Sequence, residues 1–570
     1  MDKIRLASVV AAIMALVSCS TDVEQWRVKE LSFESETDYN VSGADEIMLD
    51  VTFTHPESGR SMTIPAFWDG GKTFRVRFAP TLVGKWTWRS SCQEDASLAG
   101  LTGKISCGRY KGDLDIYRHG FVTVIPGRKY FSYADGTPFF YLGDTHWGMY
   151  REEIDEPGPN AGETGTQSHF KYIVDRRSQQ QFTVYQSEPI DSEFNMYDGH
   201  VDPEDIAGFQ LADRYYQHIA DRGLVHANAD LFYASKMNPD LTDIQLERLS
   251  RYWVARFGAY PVMWTLAQEV DNDFYADRKE HEWYDHTNNP WLKVAEYMHK
   301  YDAYSNPLSA HQENTSHTTI TGRGVSNDPR VTAGGVSIFA SPDVAVRTGH
   351  NWWAAQWSPS LTKTSKPGVP ADYLDSEYPA VNYEGRYCYL WTKDFGARAQ
   401  GWISFLSGFC GYGYGAIDMW LYKSTYNTTV PSFDGVDTIS VADKAVPWCD
   451  AVEFESAGQM AYLRNFMESF DWWNLSPILN GDERFIPAEG SFWSCATTAD
   501  RIVAYFYGDT AASGTLAGQE PGRKFDLTWY NPRSSEAQPS VKVEVAADGT
   551  LALPERPDSA DWVVCLFCRR

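Results

Sequence analysis

Glu269 and Glu377 stand where two strand-like runs stop, Pro261-Val-Met-Trp-Thr-Leu-Ala-Gln-Glu269 and Ala371-Asp-Tyr-Leu-Asp-Ser-Glu377. Both lie in a stretch that repeats strand then helix. If that repeat closes into a (β/α)8 barrel, the C-terminal ends of its strands point into one shared pocket. Two carboxyl groups facing each other there can protonate a glycosidic oxygen and stabilise positive charge at the sugar carbon. The acid of such a pair must stay protonated near neutral pH, through apolar surroundings or its partner's charge. Trp264, Trp352 and Trp353 are aromatic candidates for those surroundings.

Other side chains at strand ends are expected to line the pocket. They are Asp144, His146 and Trp147 after the first strand, Gln186 after the second, His226 and Asn228 on the third, Gln268 on the fourth and His311 after the fifth. Trp147, Trp352, Trp353 and Tyr414 are candidate platforms for a sugar ring. His281 and His286, with Glu282 and Asp285, have no well-defined zinc-ligand spacing and read as a solvated loop. No metal or other cofactor is expected. The chain shows no nucleophile elbow, which disfavours an esterase.

Three regions must position these groups. From residue 19 to 118 the pattern alternates with period two, as in Ile47–Phe53, Phe74–Phe78 and Lys85–Trp88, and predicts an N-terminal β-sandwich. From 119 to 470 strand-like runs end at Gly143, Gln186, Asp230, Glu269, His311, Ala340, Glu377 and Gly413. Helical patterns over Phe209–Asp221, Asp243–Phe257, Trp291–Tyr304 and Tyr387–Leu406 separate several of them, which predicts a (β/α)8 barrel. From 471 to 570 strands return, at Arg501–Tyr507, Phe525–Tyr530, Val541–Val545 and Trp562–Phe567, and predict a C-terminal β-sandwich. The expected fold class is therefore α/β, a TIM barrel flanked by two sandwiches.

Pro138-Phe-Phe-Tyr-Leu-Gly-Asp-Thr-His-Trp147 resembles the opening of the apiosidase-like glycoside hydrolase family, with its Gly-Asp-Thr-x-Trp signature. Phe405-Leu-Ser-Gly-Phe-Cys-Gly-Tyr-Gly-Tyr-Gly415 is similar to that family's small-residue run, and Asn306-Pro-Leu-Ser-Ala-His311 to its fifth strand. Trp529-Tyr-Asn-Pro-Arg533 resembles a motif of a C-terminal domain often attached to such barrels, labelled collagen-binding. Phe53-Thr-His-Pro-Glu-Ser-Gly59 and Ala66-Phe-Trp-Asp-Gly70 resemble the sandwich that precedes many bacterial glycanase barrels. The resemblance implies an acid/base carboxylate after strand four and a second carboxylate after strand seven, which fall on Glu269 and Glu377. On the chemistry of such a pair, Glu269 is assigned as acid/base and Glu377 as nucleophile of a retaining double displacement. Gln268 stands where many relatives carry Asn or Gly before the acid, which points to a different branch and leaves the sugar open. Asp375 and Glu384 lie near Glu377; Glu384 is expected to open the next helix. The expected activity is exo-acting release of a terminal sugar, apiose or another pentose or hexose, from a plant- or algal-type polysaccharide. The alternative is an inactive, carbohydrate-binding surface lipoprotein.

Charge and address agree with a glycan partner. The chain carries 50 basic and 76 acidic residues, net −26, and lacks the cationic surplus that nucleic acid requires. Lys3 and Arg5 precede a short apolar run ending in Leu16-Val-Ser-Cys19, which reads as a lipoprotein signal over 1–18 with lipidation of Cys19. The expected location is the bacterial outer membrane, periplasmic or cell-surface, with the membrane met only through that anchor. Cys92 and Cys107 flank a short polar segment and could bridge in an oxidising periplasm. Cys565 and Cys568 are expected to share a strand rather than a metal. Oligomeric state is left open.

Overall fold

The computed structural model describes residues 21–40, 43–149, 154–158, 168–187, 198–228, 238, 240–266, 291–310, 338–340, 379–383, 385, 387–389, 393–417, 446–478, 482–508 and 510–568. At its centre is one eight-stranded parallel sheet. In chain order its strands are β1 (Tyr141–His146), β2 (Val184–Ser187), β3 (Val225–Asn228) and β4 (Val262–Trp264). They continue as β5 (Leu308–Ala310), β6 (Ile338–Ala340), β7 (Val381–Asn382) and β8 (Gly411–Tyr414). Across the sheet they run β6-β5-β4-β3-β2-β1-β8-β7, so the last strand lies beside the first.

Parallel neighbours need long crossovers, and helices supply several of them: α1 (His169–Gln179), α2 (Ile206–Asp221), α3 (Asp243–Phe257), α4 (Trp291–Tyr301) and α5 (Asp394–Leu406). Helix α6 (Glu455–Met467) follows the sheet and packs on α5. The start of α3 is written in the sequence. Thr242 accepts from the Gln245 amide and the Gln245 side chain reaches back to the Thr242 amide, closing a capping box.

The sheet is strongly curled. Flat, β2 and β7 would lie three strand spacings apart, about 14 Å. Yet Nε2 of Gln186 on β2 donates to the carbonyl of Tyr383, just past β7, at 2.8 Å. The concave side therefore brings distant strands within one side chain's reach.

The seventh strand departs from expectation. The segment that pairs with β8 is Val381–Asn382, four residues beyond Glu377, so Glu377 precedes this strand instead of ending it. Val381 and Tyr383 are the β-favouring residues that the Ala371–Glu377 run lacks in such density. The following helix begins at Asp394, not Tyr387 or Glu384.

N-terminal to this sheet, a five-stranded and a three-stranded sheet enclose Val51, Phe53, Phe78 and Trp86. They are fastened to α2 and α3 by buried arginines. Arg77 bonds Asp213 and the Arg256 carbonyl, Arg256 bonds Asp69 and Asp213, and Arg251 bonds the Leu49 carbonyl. After the central sheet come a six-stranded and a three-stranded sheet. Arg398 of α5 holds them through both carboxylate oxygens of Asp561, at 2.8 Å each, with Tyr505 donating to the same group.

A Cys92–Cys107 bridge is not formed; both thiols are free and buried. Cys107 pairs with Gly84 at one end of Gly84–Ser91, whereas Cys92 follows the other end. Eight residues of strand hold them roughly 25 Å apart, far beyond disulfide reach. Cys565 and Cys568 do share one strand, Trp562–Cys568. Among the described residues no helix is long and apolar enough to cross a membrane.

Candidate active site

Glu269, Gln268, Glu377, His311, Trp352, Trp353 and Cys19 lie outside the described residues. The strands that lead to the expected site are described, and they sort the remaining candidates by face.

On the concave face, β1 contributes Tyr141, Gly143 and Thr145, with Trp147 just beyond. Gln186 is the hub: its Oε1 accepts from the Tyr141 hydroxyl at 2.9 Å, and its Nε2 donates to Thr145 Oγ1 at 3.3 Å and to the Tyr383 carbonyl. Two glycines make room for this carboxamide. A Cβ on Gly143 would collide with the Gln186 side chain, and one on Gly413 would collide with both the Tyr383 carbonyl and Gln186 Oε1. The glycines of the Gly-Asp-Thr and Gly-Tyr-Gly-Tyr-Gly motifs are thus the space into which Gln186 folds. Gly413→Ala meets backbone and cannot be relieved by a rotamer change. It is expected to cost about 1–3 kcal/mol, read as a lower thermal unfolding midpoint; an unchanged midpoint would contradict this packing.

At the C-terminal rim of the same face, Trp147 Nε1 donates to the Tyr387 hydroxyl at 2.7 Å, and its ring lies 6.0 Å from that of Tyr383. Tyr383 and Tyr387 escaped the sequence reading. The signal for them was Pro379 followed by the short Val381/Tyr383 alternation. The rim at β7 is fixed on both sides of one residue: the Tyr383 carbonyl is held by Gln186, and the Gly385 amide donates to the Gly413 carbonyl at 2.9 Å. The residue between them is Glu384, itself outside the described set.

The convex face carries the other expected pocket residues. Asp144 receives Nε of Arg177 from α1 at 2.5 Å and lies 2.6 Å from His146 Nε2. Arg177 continues to Gln180 and the Val452 carbonyl, with its guanidinium over the rings of Phe182 and Tyr414. Tyr414 shares a hydrogen bond with Ser456 of α6. The His146 ring stacks on Tyr185 at 4.4 Å. His226 Nε2 meets Ser187 Oγ at 2.6 Å, and its ring packs edge-on against Tyr216 of α2. Asn228, also fully buried, shares that strand face with His226. Trp264 turns the same way and donates to Asp302 after α4. Asp144, His146, His226, Tyr414 and Trp264 thus lie between sheet and helices, where the sequence had placed them at the sugar or the catalytic acid. Of the described candidates, Trp147 and Gln186 belong to the concave side.

This buried polar layer makes the fold acid-sensitive. Burial would raise the Asp144 pKa, but the Arg177 charge and His146, with hydrogen bonds from both, hold it below the usual carboxylate range. Burial, reinforced by the charge of His146, pushes His226 down to about 3. Both groups bind protons more readily when unfolded. Their stabilisation is complete above the unfolded pKa values, about 6.5 for His and 3.9 for Asp, and declines as pH falls below each. The thermal midpoint should therefore drop steadily from about pH 6.5 toward 3. His226→Gln should flatten the upper part of that decline, and an unaltered profile would refute the assignment.

Comparison with known proteins follows the same strands. Residues 126–474 match the family described as apiosidase-like, catalytic domain, and residues 22–93 match a domain of unknown function. No curated protein matches the chain. A structure from Bacteroides vulgatus assigned to the glycoside hydrolases is similar over 96% of this chain and 100% of its own, at 17% identity and a TM-score of 0.65. A Bacteroides vulgatus glycoside hydrolase of family 5 covers 80% of this chain and 95% of its own, at 14% identity and a TM-score of 0.57. At these identities the structures speak for fold alone.

Proposed function

The chain belongs to the apiosidase-like glycoside hydrolase family, and from that premise we propose that it is an exo-acting, retaining glycosidase releasing a terminal sugar from a plant- or algal-type polysaccharide. In this reading β6 and β7 close the curled sheet into a (β/α)8 barrel whose C-terminal rim holds the sugar. Glu269, five residues past β4, protonates the leaving oxygen. The opposing carboxylate attacks the anomeric carbon, and water then releases the sugar with Glu269 acting as base.

The observation that carries the proposal is strand register. The curled sheet brings β7 round toward β2, and the carboxylate that follows β7 by two residues is Glu384. We assign the nucleophile's role to Glu384 in place of Glu377 on this position past the strand's C-terminal end alone. Trp147, Tyr383 and Tyr387 form a buried aromatic cluster at the same end of the sheet. Apiose is one candidate sugar, and Gln268 before the acid leaves the choice open to another pentose or hexose. Lipidation of Cys19 would tether the enzyme to the outer membrane, beside its polymeric substrate.

Incubation with a panel of plant and algal glycans, followed by chromatography for free monosaccharide, tests the activity. NMR of the first-formed anomer tests retention. Binding without turnover on every glycan would replace the enzyme with a carbohydrate-binding lipoprotein.

A further inference from the structure

The outward face of the five-stranded N-terminal sheet belongs to neither the site nor the core. Alternation buries Val51, Phe53, Trp86 and Ile105 and turns their neighbours outward. Register aligns those neighbours in two rows across four strands. One row is Thr102, Arg89, Thr52 and Thr63; the other is Lys104, Thr87, Thr54 and Ser61. Each row holds one cation and three hydroxyls. A row spans about 14 Å, and the rows lie roughly 7 Å apart.

A groove of about 780 Å³ runs over this face, walled on one side by Ala99 and Gly100. Its lining includes Arg89 and Lys104 and no carboxylate. Both side chains are exposed, and among the described residues neither forms a hydrogen bond or ion pair. Lys85, also exposed, points the same way from the same strand. In a chain of net charge −26, a groove lined by two free cations and no carboxylate is a local reversal of sign; Asp50, on the same strand face, is engaged by Arg251. The hydroxyls are prearranged: Thr52 pairs with Thr63 at 2.9 Å and Thr54 with Ser61 at 3.2 Å, which leaves acceptor lone pairs on each.

We propose that this face binds a carboxylate-bearing glycan, a uronate polymer, as a second sugar site remote from the hydrolytic pocket. The proposal rests on the reading of the chain as a carbohydrate-active protein. The ratio of groups selects the ligand: one cation to three hydroxyls suits a chain with one carboxylate and several hydroxyls per sugar, whereas densely sulfated chains demand more cations. Arg89 offers a planar fork to a carboxylate and Lys104 a point charge.

The test is affinity electrophoresis of the full chain in gels containing polygalacturonate, neutral xylan or heparin, with turnover on the best released-sugar substrate measured alongside. Retardation by polygalacturonate above that by xylan or heparin is expected, weakening with added salt. Arg89→Ala/Lys104→Ala should reduce that affinity at least tenfold while turnover and the unfolding midpoint stay unchanged. Equal binding of the double variant, equal retardation by xylan, or stronger retardation by heparin would each overturn the site. So would cosedimentation with phosphatidylglycerol vesicles that the double variant loses, since the face would then serve a lipid surface. Loss of turnover in Glu269→Gln with retardation retained separates failure of the pocket from failure of this face.

Discussion

Glu269→Gln is expected to lower sugar release by about 10²–10⁴-fold, the range of a lost general acid, with the unfolding midpoint unchanged. Glu384→Gln should abolish turnover at least as completely, because no covalent intermediate forms without the nucleophile. Glu377→Gln is expected to remain close to wild type. The three variants together are a register experiment. β7 is Val381–Asn382, and the backbone is held on both sides of position 384 by Gln186 and Gly413. A carboxylate upstream of a parallel strand approaches the sheet from its N-terminal end, whereas the chemistry sits at the C-terminal end. Loss of activity in Glu377→Gln with turnover preserved in Glu384→Gln would reverse the assignment. External azide offers a second readout, since a small anion can replace a missing nucleophile and restore turnover with inverted product. Rescue should appear in Glu384→Gln or its alanine counterpart and not in Glu377→Gln.

The sequence announced the strand-helix repeat, and seven of the eight central strands fall in or beside the runs it singled out, because short β-branched and aromatic stretches bounded by glycine are hard to read otherwise. Glycines in the Gly-Asp-Thr and Gly-Tyr-Gly-Tyr-Gly motifs were visible; the reason for them was not, since the carboxamide they accommodate comes from another strand. Face was the information the sequence withheld. Every residue of β1, β2 and β3 is buried, so period-two alternation has no polar-exposed side to reveal it. Asp144 and Gln186 therefore looked equivalent, each a polar residue at a strand end. One turned out to answer a helix arginine and the other to span the concave side. The seventh strand was misplaced for a related reason: a two-residue strand carries almost no pattern, and its position shows only through pairing with β8.

Asp144→Asn distinguishes those two readings of a signature residue. Arg177 is 1% exposed, as is Asp144, and the pair lies beneath the sheet with Tyr414 and Phe182 around the guanidinium. Removing the carboxylate's charge leaves Arg177 with Gln180 and the Val452 carbonyl, neutral partners for a desolvated cation. Breaking one partner of such a pair costs about 3–5 kcal/mol, which corresponds to a midpoint roughly 4–7 °C lower for a region of this size. The double variant Asp144→Asn/Arg177→Met removes the stranded charge as well and should recover much of the loss, because well-packed apolar replacement of a buried ion pair is often neutral. Its failure to recover more than the sum of single effects would deny the coupling. A sugar contact predicts the opposite signature. If Asp144 touched substrate, the asparagine variant would raise KM or lower kcat at an unchanged midpoint, and the Arg177 substitution would give no compensation. Stability loss with mutual rescue thus assigns the aspartate of the Gly-Asp-Thr motif to fastening β1 onto α1, which in turn holds Trp147 and the floor around Gln186 in place.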